Sequence, residues 1–136
     1  HPQASAIIPF VSDRDILMVR QYRYALGRET LEIPAGKLDP GENPEQCIRR
    51  ELLEETGYEA GSLELIYTYA PALGYSNDLI HIYSGHELRK ADTAIDTREI
   101  ASVEKIPVQK LKSMIREGLI LDGKTLLGLS LMRVIP

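Results

Sequence analysis

The chain has 136 residues, 43% hydrophobic and 26% charged, a balance that suits one folded domain over 1–136 with its own core. Sixteen basic against 20 acidic residues leave a formal charge of −4, which argues against a nucleic-acid partner. The single cysteine, Cys47, excludes a disulfide framework and a cysteine-based zinc site, and no apolar run approaches the ~20 residues of a membrane span. With no secretory leader ahead of the first strand-like segment, the expected setting is the reducing cytoplasm, away from membranes.

Residues Ala4 to Val11 and Asp15 to Tyr22 read as two strands joined by a polar turn at Ser12-Asp13-Arg14. A short strand at Thr30 to Ile33 runs into Pro34-Ala35-Gly36, which is expected to leave the sheet, and Lys37 to Glu42 reads as a loop turning at Asp39-Pro40-Gly41. A helix is well marked over 44–56. Asn43 is its N-cap, Pro44 its first residue, Gln46 a capping-box partner, and Gly57 its stop. Ser62 to Ala70, Leu79 to Leu88 and Ile100 to Ile106 read as further strands, and Val108 to Glu117 and Lys124 to Val134 as helices. Strands mixed with a few helices predict an α/β/α sandwich with a mixed β-sheet between helices.

On a helical wheel of 44–56, Ile48 and Leu52 define the buried stripe. Glu55 falls almost on that stripe, Glu51 lies at its edge, and Glu54 flanks Glu51. At spacings of i,i+3 and i,i+4 the three carboxylates converge, and like charges so placed repel. Arg50 offsets part of that repulsion, and a hard divalent cation such as magnesium or manganese would offset the rest. A solvated, salt-bridged helix face also carries acids at such spacings, so the wheel alone leaves both readings open.

The wider spacing decides between them. From Gly36 the chain reads five residues, Glu42, seven residues, Arg50-Glu51, two residues, Glu54-Glu55, one residue, Gly57, then Tyr58. Seven fixed letters at background frequencies match by chance in fewer than about one window in ten million. This is the Nudix box, departing from the pattern only at Tyr58, where a bulky aliphatic residue is usual. The chain therefore resembles the Nudix hydrolases. Val19-Arg20-Gln21-Tyr22-Arg23, Leu31 to Gly36, Gly74-Tyr75-Ser76-Asn77-Asp78 and Leu121-Asp122-Gly123-Lys124-Thr125 look like the ADP-ribose pyrophosphatase branch of that family.

That resemblance implies hydrolysis of the pyrophosphate bond of ADP-ribose, or of a related nucleoside diphosphate sugar, with two or three magnesium or manganese ions per site. Glu51, Glu55 and the Ala35 carbonyl match its metal ligands, and Glu54 an additional ligand or water holder. Arg50 matches the arginine that orients the glutamates, Glu42 a helper near the metals, and Gly36 the glycine that lets the loop turn beside them. Arg23 matches a substrate-phosphate contact, Glu32 is a candidate for holding the nucleotide or its ribose, and Gly74 and Tyr75 stand in a loop near the proposed site. The catalytic base of this branch comes from an acidic loop after the box, which here spans Asp92 to Glu99 and offers Asp96 and Glu99.

Two departures bear on substrate. The branch has proline immediately before a glycine where this chain has Leu73 before Gly74, its nearby proline being Pro71. It also carries an N-terminal segment that helps form a homodimer and walls the adenine pocket. The expectation is that this extension is absent from the chain, which starts close to its first core strand. The alternatives are a GDP-mannose-type sugar nucleotide, an oxidised nucleoside triphosphate, or a nucleotide-sensing module without catalysis. Such a module has no need to keep Arg50, Glu51, Glu54 and Glu55 together. Cys47 and His81 read as structural residues.

Overall fold

The computed structural model describes residues 3–133. Strands β1 (Gln3–Pro9), β2 (Asp15–Arg23), β3 (Arg28–Glu32) and β4 (Ala35–Lys37) precede helix α1 (Pro44–Thr56). Strands β5 (Tyr58–Tyr69), β6 (Leu79–Lys90) and β7 (Ile100–Pro107) follow. A 3₁₀ turn at Val108–Lys110 then leads into α2 (Leu111–Arg116), and α3 (Gly123–Leu131) comes last. Among the described residues no helix is long and apolar enough to cross a membrane.

Two sheets form. The first has the order β4-β1-β6-β5 and is mixed, because β1 pairs in parallel with β6 while β4 and β5 run antiparallel to their neighbours. The second, β3-β2-β7, is antiparallel throughout. Alternation along β1 sends Ile7 to one face of the mixed sheet, where it packs with Ile48 and Leu52 of α1. Ala6 and Ile8 point the other way, into a cluster with Ile16, Met18, Leu31, Ile33, Leu111 and Leu129. The mixed sheet thus lies between α1 on one side and the second sheet with α2 and α3 on the other. This is the expected sandwich, with an additional antiparallel sheet.

The segment Pro34-Ala35-Gly36 does leave its first sheet, but it enters the other one. Ala35, Gly36 and Lys37 pair with Ala6, Ser5 and Ala4 of β1, so Lys37, expected in a loop, is a strand residue. Pro34 has no N–H to give a ladder, yet its carbonyl accepts from the Ile7 N–H at 3.0 Å. The crossing sets Ala35 and Gly36 against α1. Strand β5 starts at Tyr58, four residues before the expected Ser62; Gly61 interrupts the sequence pattern, and pairing of Tyr58 with Lys90 of β6 overrides it. The expected helix over 108–117 is a 3₁₀ turn and then α2, and the expected end of the last helix, Val134, lies outside the described residues.

Helix α1 is capped as its sequence demands. The Gln46 N–H donates to Asn43 Oδ1 at 2.8 Å, and the Asn43 N–H donates to Gln46 Oε1 at 3.0 Å. Gly57 ends the helix at φ +78°, a conformation glycine adopts without a Cβ penalty. Because this cap fixes where the box glutamates fall, its removal is measurable. Asn43→Ala should lower unfolding stability by about 1 kcal/mol, read from the urea midpoint at unchanged slope.

Candidate active site

Burying Ile48 and Leu52 under the mixed sheet turns Glu55 inward, to 6% exposure, leaves Glu51 half-buried and Glu54 outside. The Ala35 N–H donates to Glu55 Oε1 at 3.2 Å, so the β3–β4 crossing holds this carboxylate directly. Gly36 sits so close that a Cβ there would stand 2.1 Å from Glu51 Cδ, which any larger residue would displace. Glu51, Glu54 and Glu55 line one cleft of about 140 Å³ together with Asp96, Glu99 and Ile100.

Arg50 is the counterweight. Its Nη1 donates to Glu51 Oε1 at 2.6 Å and to Glu54 Oε2 at 3.2 Å, and its Nε donates to Glu42 Oε2 at 2.7 Å. Nη2 donates to the Lys37 carbonyl at 3.1 Å, and Asp39 stands 3.3 Å from Nε. The guanidinium holds Glu42 down at about 2. It does not reach Glu55. Among the described residues no cation forms an ion pair with Glu55, and burial, then the Glu51 and Glu99 charges, push its carboxyl up to about 8. Burial also raises Glu51.

This donor set fits a divalent cation in chemistry: hard carboxylate oxygens, an excess of negative charge, and one buried carboxylate that lacks a positive partner. Among the described residues no three ligating side chains already converge on one point. The box glutamates instead divide between two donors, Glu51 and Glu54 on Arg50 and Glu55 on the Ala35 peptide.

The two base candidates differ. Asp96 is tied to its neighbour: Arg98 donates from Nε at 3.0 Å and from Nη2 at 2.7 Å, and this pairing holds Asp96 at about 2. Its own N–H donates to the Glu54 carbonyl at 2.8 Å, which docks the loop onto α1. Glu99 lines both the carboxylate cleft and a larger adjoining cleft of about 560 Å³.

That larger cleft carries the other polarity. Ala35, Gly36, Glu51, Glu55 and Glu99 lie on it with Arg23 and Lys124. Arg23 forks onto Glu32 through Nε at 2.8 Å and Nη2 at 2.7 Å, and Lys124 Nζ donates to the same carboxylate at 2.9 Å. Thr30 Oγ1 adds a fourth bond at 2.5 Å. Glu32 is 1% exposed and held at about 2, its donors prevailing over burial, and it does not line the cleft. Gly74 and Tyr75 are not brought to the carboxylates; Tyr75 is 91% exposed on the turn that precedes β6. Lys124, which no local pattern in the sequence marks out, reaches the site from the first turn of α3, 92 residues from Glu32. Its only signal in the sequence was the Asp122-Gly123-Lys124-Thr125 string.

The fold and this box of carboxylates define a class, and the comparisons agree with it. The chain matches the NUDIX domain over residues 1–124 and belongs to the Nudix family of hydrolases. It is 35% identical over 136 residues to the methanol dehydrogenase activator of Bacillus methanolicus, covering 98% of this chain and 74% of that protein. It is 34% identical over 127 residues to the ADP-ribose pyrophosphatase of Bacillus subtilis (strain 168), at 92% and 69% coverage. A GDP-mannose pyrophosphatase of Escherichia coli O157:H7 is 33% identical over 141 residues, at 96% and 73% coverage. In fold, the chain superimposes on an ADP compounds hydrolase with a TM-score of 0.86 at 22% identity, covering 98% of this chain and 71% of that one.

The raised Glu55 carboxyl has a consequence for stability. Between its ordinary value of 4.5 and about 8, the folded chain binds a proton that the unfolded chain has released. Stability of the metal-free protein therefore falls as pH rises through that window. Glu55→Gln lacks this loss. In EDTA its urea midpoint, relative to the unsubstituted chain, should climb between pH 5 and pH 8.5; a difference that stays flat would contradict the burial of an uncompensated charge.

Proposed function

We propose that this Nudix hydrolase cleaves the pyrophosphate bond of ADP-ribose with one water, giving AMP and ribose 5-phosphate. The observation that carries the reading is the junction of the two clefts, where the box glutamates and Glu99 face a wall bearing Arg23. Glu51, Glu54, Glu55 and the Ala35 carbonyl would hold the divalent cations, magnesium or manganese. When bound, such ions neutralise diphosphate oxygens and lower the pKa of a water molecule. Arg23 binds a substrate phosphate through the guanidinium N–H groups that Glu32 leaves over. Arg50 orients Glu51 and Glu54 while keeping their combined charge tolerable.

Glu99 takes the proton from the attacking water. Asp96 is the poorer base, because Arg98 already occupies its carboxylate and stabilises its charged form. The ADP-ribose pyrophosphatase of Bacillus subtilis, one-third identical over most of this chain, supports the substrate. A GDP-mannose-type sugar nucleotide is the second reading. It is favoured by the similarly close GDP-mannose pyrophosphatase and by an exposed Leu73 where the ADP-ribose branch has proline.

The test is release of nucleoside monophosphate from ADP-ribose, GDP-mannose, UDP-glucose, NADH and 8-oxo-dGTP, with magnesium and with EDTA. Magnesium-dependent AMP release, strongest from ADP-ribose, is expected; preference for GDP-mannose would move the substrate and keep the mechanism. Against the preferred substrate, Glu55→Gln and Glu99→Gln should each lower kcat by about 10²-fold or more, whereas Asp96→Asn stays near the unsubstituted rate. Comparable losses for Glu99→Gln and Asp96→Asn would remove the assignment of the base.

A further inference from the structure

Glu99 stands in the turn immediately before β7, and the segment that carries it is held differently at its two ends. Upstream, backbone alone docks the loop on the end of α1. The Ala91 N–H donates to the Gly57 carbonyl and the Asp96 N–H to the Glu54 carbonyl, both at 2.8 Å. Downstream, Glu99 depends on β7, an edge strand that pairs only with β2. That ladder slips close to the site. Arg20 faces Ser102, but the next residue, Gln21, faces Ile100, so Ala101 is passed over. A slip of one residue changes which side chains meet a given face, and here Ile100 lines the carboxylate cleft and Glu99 both clefts. It also interrupts the pairing two residues from Glu99.

A side-chain clamp closes the last regular rungs before the slip. Arg20 forks onto Glu104, Nε donating to Oε2 at 2.6 Å and Nη2 to Oε1 at 3.2 Å, and Ser102 Oγ donates to the same Oε2 at 3.2 Å. The ladder partner of Arg20 is Ser102 and that of Glu104 is Met18, so the fork is a diagonal pair across the two strands. Gln21, on the opposite face of β2, lines the larger cleft, whereas Arg20 and Glu104 line neither cleft. The clamp therefore lies behind the wall. An ion pair whose side chains are 36% and 31% exposed stabilises a fold little in itself, but a two-bond fork fixes geometry.

We propose that Arg20 and Glu104 are positioning residues for Glu99: their fork pins the start of β7 where the ladder is interrupted, and so holds the Glu99 carboxylate toward the box glutamates. The inference rests on the assignment of Glu99 as the base for its chemical consequence. Arg20 and Glu104 touch no substrate. Without the fork, the edge strand frays back past the slip, and Glu99 spends less time facing the cleft.

Two measurements test this in Arg20→Gln and Glu104→Gln, each checked for folding by circular dichroism. Amide hydrogen exchange, read by mass spectrometry, should quicken about tenfold over 97–103 in either variant and stay unaltered in α1. With magnesium and the preferred nucleoside diphosphate sugar, each variant should lower kcat about tenfold and leave KM nearly unchanged. Arg20→Lys, which keeps the charge and one donor, should recover most of that rate. Arg20→Gln added to Glu99→Gln should cost nothing further, because the group it positions is already gone. Unaltered exchange over 97–103 would overturn the clamp. A full kcat in folded Arg20→Gln, or a loss that multiplies with that of Glu99→Gln, would overturn the positioning role while the base assignment stands. Full turnover by Glu99→Gln would instead overturn the base assignment, and the inference with it.

Discussion

The constraint on which the rest depends is that α1 buries its apolar stripe only by taking a carboxylate inside with it. Ile48 and Leu52 anchor the helix under Ile7 of the central strand, and one turn further on the same stripe is Glu55. A lone buried carboxylate is costly unless it is protonated or met by positive charge. The protein gives it a backbone N–H, from Ala35, and places the Arg50 guanidinium on the neighbouring carboxylates. The result is a graded site. Arg50 lets Glu42, Glu51 and Glu54 crowd together, while Glu55 keeps a charge that a proton or a cation from outside has to offset.

The loop from β3 to α1 is shaped by that deficit. Pro34 ends one sheet without wanting a ladder partner, and Ala35 to Lys37 join the other, so the crossing brings a free N–H and a side-chain-less residue to α1 at the same point. Gly36 is needed here for space and not for an unusual backbone angle: the room its Cβ would take is filled by the carboxyl of Glu51. Lys37 then returns its carbonyl to Arg50, which ties the strand to the arginine that manages the charges. Backbone crossing, glycine and salt-bridge hub are one device.

Much of this was legible in the sequence because it is local. The helix over 44–56, its cap, its stop and the inward turn of Glu55 follow from spacing within four residues, and the structure reproduces them. What was hidden is what depends on pairing across the chain. The strand character of Ala35 to Lys37 comes from β1, and the early start of β5 from β6. Glu32 read as a substrate contact because a carboxylate before a turn beside the box looks available. Its saturation depends on Lys124, 92 residues away, which no local periodicity reveals. Asp96 and Glu99 looked equivalent in sequence; the two-residue fork from Arg98 separates them.

The cleft therefore has two walls made by opposite solutions to the same problem. On one wall, several carboxylates share too little positive charge, and Glu55 is raised by burial and by its neighbours. On the other, one carboxylate is surrounded by Arg23, Lys124 and Thr30, and is held at about 2 although it too is buried. Burial alone would push both groups the same way, so the difference lies in the donors each receives. A diphosphate between the walls brings oxygens that the cationic wall can bind directly but that the acidic wall repels. Binding of such an anion and binding of a cation at the box thus favour one another, since each removes the repulsion that opposes the other. The opposed polarity suits an anion that arrives with its counter-ion, and it is assembled by strands and helices that the chain has to pack together in order to fold.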